Sequence, residues 1–162
     1  LIDAFAKLNS NRAHLMLAGT GKMSSQLHSQ VANLPMHVQK RIHFTGFLNQ
    51  SQMPSLYASC DVYVLPSYSE TWGLSVNEAM TYGKAILVSN RCGCSVDLIE
   101  NAVNGLIFDV NDTSDLENKL KLMLNKDHVL SMGKASATSI KKWGILEALS
   151  QIEKYLNKYL QK

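Results

Sequence analysis

Two glutamates, Glu70 and Glu78, stand with seven residues between them in the stretch PSYSETWGLSVNEAM, Pro66 to Met80. Glu70 follows the apolar run of Asp61 to Pro66 and a turn-prone Pro-Ser-Tyr-Ser, whereas Glu78 falls within helical spacing. One carboxylate is therefore expected at a strand-to-helix corner and the other a turn or more along the helix that follows. Carboxylates accept hydrogen bonds from hydroxyls, and a helix N-terminus attracts phosphate. The arrangement suits a ligand with hydroxyls at one end and phosphate near its middle. Taken as a bare pair, the glutamates are better read as solvated or capping residues, since surface glutamates are common. His14, His28, His37, His43 and His128 lie beside no carboxylate or nucleophile in a recognisable pattern, and none is given a catalytic role.

The elements that must carry these residues follow from hydrophobic spacing. Leu1, Ile2, Phe5 and Leu8 recur at helical intervals, so the chain is expected to open in a helix. Short apolar runs predict strands at His14–Ala18, Arg41–Gly46, Asp61–Pro66, Ala85–Ser89 and Gly105–Phe108. Helices are expected over Ser24–Leu34, Gln52–Ser59, Leu74–Tyr82, from Ser95, and over Ser114–Asn125. From Asp127 to the end the pattern is helical, with a break near Trp143-Gly144. Strands alternating with helices predict an α/β fold, a Rossmann-like doubly wound parallel sheet with helices on both faces and a C-terminal helix. Ligands of such sheets bind beyond the C-terminal strand ends, where Glu70 and the loops at Gly19, Gly46 and Gly93 all fall.

Gly19-Thr20-Gly21 opens a run G-x-G-x-x-S that only half matches a dinucleotide fingerprint, because the last glycine or alanine is absent and the next strand ends in Thr45-Gly46 without an acidic residue. A P-loop fails as well, with Met16 and Met23 at its defining positions. Lys22 stands within reach of a phosphate on this loop, or is simply solvated.

At 162 residues and 46% apolar, the chain is expected to form one domain with a buried core. No window is apolar enough to span a bilayer, and LIDAFAKLNSNR lacks the charged lead and apolar run of a secretory leader. Cys60, Cys92 and Cys94 form no secreted-type disulfide framework, which fits a reducing cytoplasm. Their spacing is not that of a zinc site, so no metal is expected. Residues 119–162 carry nine lysines against three acidic side chains, while residues 1–118 carry seven basic and ten acidic ones. The lysine-rich tail lacks arginine and spreads its charge around helical patterns, which argues against nucleic acid and for solvated helix faces. The same lysines would suit peripheral attraction to the anionic inner face of a membrane.

The residues Pro66, Ser67, Glu70, Trp72, Gly73, Leu74, Glu78, Ala79, Met80 and Gly83 stand in the order of a known signature, and the segment resembles the retaining glycosyltransferases of family 4, which have the GT-B fold. The flanking stretches LMLAGTGKM, RIHFTGFLNQSQMPSLYASCDVYVLPS and AILVSNRCGCSVDLIENAVNGLIFDVNDTSDLENKL resemble the same family, so the likeness covers nearly the whole chain. There are departures. Cys92-Gly93-Cys94-Ser95-Val96-Asp97 replaces the usual Gly-Gly and glutamate, and Lys84 replaces a proline. Ser95 is expected to cap the helix it opens.

The resemblance implies a donor-binding domain that uses a nucleotide diphosphate sugar, UDP- or GDP-linked, and transfers a hexosyl group to a hydroxyl with retention, in polysaccharide, glycolipid or glycoconjugate synthesis. It implies that Glu70 touches hydroxyls of the transferred sugar and is the residue closest to catalysis. Glu78 would accept from the ribose, and backbone N–H groups of Thr71, Trp72, Gly73 and Leu74 would meet the distal phosphate with Lys22. Gly19 and Gly21 would line the nucleotide cleft, with Phe47 and Leu48 against the base; a loop packed onto the core is the plain alternative for the last two. It implies no cofactor and no metal. It also implies that the chain is most of a C-terminal domain, lacking the first strand and the N-terminal domain that holds an acceptor sugar or lipid-linked glycan. The chain alone is then expected to bind nucleotide weakly and transfer nothing. A sugar-nucleotide epimerase of the same architecture and a nucleotide-binding module without chemistry are the alternatives.

Overall fold

A computed structural model describes residues 1–160; the last two, which the helical reading of the C-terminus includes, lie outside the described residues. The order is α1 (Ile2–Ala6), β1 (Leu15–Ala18), α2 (Ser24–Ala32), α3 (Met36–Gln39), β2 (Ile42–Gly46), α4 (Met53–Ser59) and β3 (Val62–Leu65). There follow α5 (Leu74–Thr81), β4 (Ala85–Ser89), α6 (Cys94–Leu98), β5 (Gly105–Phe108), α7 (Thr113–Leu122), α8 (Lys126–Ser139), a 3-10 turn over Ile140–Trp143 and α9 (Ile145–Leu160). The short α3 after Pro35 has no counterpart in the hydrophobic spacing. The break expected near Trp143-Gly144 is the 3-10 turn.

All strand pairs are parallel, and they form two ladders, β1–β2 and β3–β4–β5, with no ladder between β1 and β3. Every residue of β4 is buried, and its side chains alternate between two cores. Ala85 and Leu87 join Leu106, Phe108, Leu116, Leu120, Val129 and Met132 on one face. Ile86 and Val88 meet Tyr57, Val76, Ala79, Met80 and Leu98 on the other. The first core also takes in Ile2, Phe5 and Leu8 of α1, Leu15 of β1 and Ile42 of β2, so it runs under both ladders. Helices thus cover both faces, as the alternation of strands and helices predicts.

Two helices close this frame with side-chain caps. Asp112 accepts from the N–H groups of Ser114 and Asp115 at the start of α7, and Asn125 accepts from His128 N–H at the start of α8. Ser95 does not cap α6. The chain already has helical angles at Gly93, so Gly93 takes the N-cap and Ser95 lies buried inside the first turn. Helix α9 is different in kind. It buries no residue, although Ile145, Leu149, Ile152, Leu156 and Leu160 recur along one side. No helix among the described residues is long and apolar enough to cross a membrane.

Candidate functional site

Glu70 sits in the loop from β3 to α5, and that loop is held against the loop from β4 to α6. Glu70 N–H donates to Arg91 O at 3.2 Å, Gly93 N–H to Glu70 O at 2.9 Å, and Cys94 N–H to Trp72 O at 2.9 Å. Ser89 Oγ adds a 2.6 Å bond to Ser67 O. Two consecutive strand ends are thereby stitched past the last residues of their ladder. The approach is so close that a Cβ on Gly93 would lie 2.0 Å from Thr71 O, which explains the glycine there. The Glu70 carboxylate is half-buried and turns inward on its own loop, where Oε1 accepts from Trp72 N–H at 3.3 Å.

Gly73 is the N-cap of α5 with φ 103°, in the left-handed region. An added Cβ would lie 3.0 Å from Leu65 Cδ2 and 3.1 Å from Cys94 Sγ, so packing from below, as well as backbone angle, calls for glycine. No side chain caps α5. Among the described residues, the N–H groups of Gly73, Leu74 and Ser75 have no partner, while that of Trp72 is engaged by Glu70. Burial and the neighbouring Cys92 push the Cys94 thiol up to about 11, so Cys94 itself stays protonated under this helix end at neutral pH. A helix start with free N–H groups favours negative charge in general, and here the Glu70 carboxylate already lies beside it.

Helix α5 packs Val76, Ala79 and Met80 into the core, which leaves Asn77 and Glu78 on the outer side. Asn77 Oδ1 accepts from Trp72 Nε1 at 2.9 Å. Glu78 is exposed, yet one of its carboxylate oxygens is fixed: Tyr57 Oη donates to Oε2 at 2.7 Å. Tyr57 comes from α4 and is itself 3% exposed.

The remaining expected residues lie on the loops after β1 and β2. Ala18 pairs with Gly46, and Gly19 N–H donates to Gly46 O at 2.9 Å, so these two loops leave their ladder together. Gly19 and Gly46 adopt φ 107° and 69°, which L side chains disfavour. Gly21 N–H is taken by Ser24 Oγ at 3.0 Å, and Lys22 and Thr71 are exposed. Phe47 is 73% exposed and so is not a core residue; Leu48 is half-buried. Beside them a groove of ≈ 390 Å³ runs along α4, lined by Thr45, Leu48, Gln52, Ser55, Leu56 and Ser59. No hydrogen bond among the described residues joins the Gly19 and Phe47 loops to the Glu70 loop. The link between them is α4, which starts after Leu48 and delivers Tyr57 to Glu78. The spacing of sequence motifs singles out neither Tyr57 nor Trp143. Trp143 packs its ring 5.6 Å from that of Trp72. Among the described residues no three His, Cys, Asp or Glu side chains cluster as metal ligands.

Comparison with known proteins gives this arrangement a context. A family model for glycosyl transferases group 1 matches residues 1–140. Among curated relatives, the Campylobacter jejuni N,N'-diacetylbacillosaminyl-diphospho-undecaprenol alpha-1,3-N-acetylgalactosaminyltransferase is 39% identical over 97 residues, 59% of this chain and 25% of that protein. The sulfoquinovosyl transferase SQD2 of Arabidopsis thaliana is 31% identical over 144 residues, 86% of this chain and 27% of that protein. This chain therefore spans about a quarter of the length of either relative. Among solved structures, the Anabaena protein HepE in complex with UDP superposes with a TM-score of 0.81 at 23% identity, over 98% of this chain and 44% of that one. At that identity the likeness shows the fold.

Proposed function

This chain belongs to the glycosyl transferases group 1 family, and from that premise we propose that it is the donor-binding, C-terminal part of a retaining glycosyltransferase of family 4. The observation that carries the reading is the pairing of an uncapped α5 start, with free N–H groups at Gly73, Leu74 and Ser75, with carboxylates on either side of it at Glu70 and Glu78. In this reading a nucleotide diphosphate sugar lies across the helix end. The diphosphate meets the free N–H groups, with Lys22 adding positive charge. The transferred hexose meets Glu70, the ribose meets Glu78, and the base lies in the groove beside Phe47 and Leu48. As the glycosidic bond breaks, negative charge grows on the leaving diphosphate, and donors already aimed at it lower the barrier. Glu70 is a sugar-positioning carboxylate, not a nucleophile. No metal enters the step, because the helix end and Lys22 supply the charge.

UDP is favoured over GDP as the carrier only by analogy with HepE, which binds UDP; the acceptor would be a sugar or lipid-linked glycan held by a part of the protein outside this chain. The test uses the full-length protein with Glu70→Gln and Glu78→Gln. Glu78→Gln is expected to weaken free nucleotide and intact donor alike, by about 1.5–3 kcal/mol for one bond to a charged group. Glu70→Gln is expected to keep free-nucleotide affinity and lose turnover, since its partner is the sugar. Calorimetry with UDP and GDP beside a donor-turnover assay separates the two. Folded variants that change neither quantity would sink the reading.

A further inference from the structure

We propose that Tyr57 is a positioning residue for the nucleotide site, holding the Glu78 carboxylate in the orientation that receives a ribose diol. The inference rests on the donor-site reading above and adds to it a residue from a different helix.

Glu78 lies on the exposed side of α5, where a glutamate ordinarily samples many rotamers. Here one oxygen is anchored. Tyr57 Oη donates to Oε2 at 2.7 Å, while Oε1 accepts no hydrogen bond among the described residues. A carboxylate fixed through one oxygen leaves the other with a set direction, so ordering on ligand binding costs less. The anchor is rigid for reasons that do not involve Glu78. Tyr57 is 3% exposed; its ring stacks on Tyr82 at 5.6 Å and meets Tyr63 edge-on at 5.8 Å. Burial, then the bond to Glu78, raises the phenol well above its ordinary range, so Tyr57 stays protonated and is always the donor in this pair. A phenylalanine would fill the same core position. The hydroxyl is therefore not needed for packing, and its only partner among the described residues is Glu78.

The same bond joins the two halves of the site. Tyr57 lies on α4, whose first residues follow the Phe47-Leu48 loop, and Glu78 lies on α5, whose first residues follow Glu70. A hydroxyl at this position thus fixes the ribose carboxylate relative to the groove beside Leu48.

The experiment is a double-mutant cycle in the full-length protein with Tyr57→Phe, Glu78→Ala and both together, titrated calorimetrically with UDP, GDP and inorganic pyrophosphate. Tyr57→Phe is expected to weaken UDP and GDP by about ten-fold, the scale of one hydrogen bond to a charged group, and to leave pyrophosphate, which has no ribose, unchanged. In the Glu78→Ala background the second change is expected to add less than about two-fold, because the bond is already gone. Equal losses in both backgrounds, or a parallel loss with pyrophosphate, would mean a general structural role and overturn the proposal, as would unchanged UDP binding in Tyr57→Phe. If Glu78→Ala itself leaves UDP and GDP binding intact, the ribose assignment of Glu78 fails first, and the Tyr57 proposal with it. If Glu78→Ala weakens nucleotide and Tyr57→Phe does not, the donor-site reading stands and only the positioning role is lost.

Discussion

Gly93 and Gly21 make opposite demands at the scale of single residues. At Gly93 an added methyl would press to 2.0 Å from Thr71 O, a backbone atom that cannot move without shifting the whole Glu70 loop. Gly93→Ala is expected to cost about 1–3 kcal/mol, in the range of overpacked sites, and to lower turnover by moving Glu70. At Gly21 a methyl would meet nothing within 4 Å and φ is not in the left-handed region, so Gly21→Ala is expected to be neutral or to stabilise by about 0.4–1 kcal/mol. Urea midpoints of the two variants check both signs. The carboxylates are legible in the sequence because their spacing and neighbours form a pattern. The contact that makes Gly93 obligatory is not, because it depends on which loops lie side by side. Tyr57 is hidden for the same reason: its hydroxyl matters through a residue twenty-one positions away on another helix.

Helices and strands are the most readable level. Continuous apolar runs locate all five strands to within a residue or two. The short α3 escapes because four residues carry too little periodicity, and the cap expected at Ser95 fails because Gly93 enters the helix first. Helix α9 is the element with the clearest experimental signature. It has sixteen residues, buries none of them, and leaves much of its apolar side exposed. An unpacked helix of this length is marginal in water. In the chain of residues 1–162, amides of Ile152 to Leu160 are expected to exchange on the order of a hundred-fold faster than those of β4, measured by hydrogen exchange. Protection of α9 equal to that of β4 in a dilute monomer would show that its apolar side is already covered.

At the scale of the molecule, periodicity tells which face a side chain takes but not which strand lies beside it. That is why the α/β class and the two-sided covering are legible, while the division into β1–β2 and β3–β4–β5 is not. The division is of hydrogen bonding rather than of core. Leu15 and Ile42 share one apolar cluster with Ala85, Leu87, Leu106 and Phe108, and α1 packs into the same cluster. Each ladder alone would expose that cluster, so the two are expected to unfold together. Urea titration followed by nuclear magnetic resonance should give the same midpoint for amides of Leu15–Ala18 and of Ala85–Ser89. Midpoints that differ would make the ladders separate cooperative units.

The chain has two tryptophans, and they touch: Trp72, in the loop that carries Glu70, and Trp143, in the turn before α9, lie with ring centroids 5.6 Å apart. All indole emission from this chain therefore arises at one spot. Its colour and yield report on the wall between the Glu70 loop and the root of the last helix, without a label. Light absorbed by either ring is shared with the other at this separation, so any rearrangement that parts them is visible as a change in their mutual quenching.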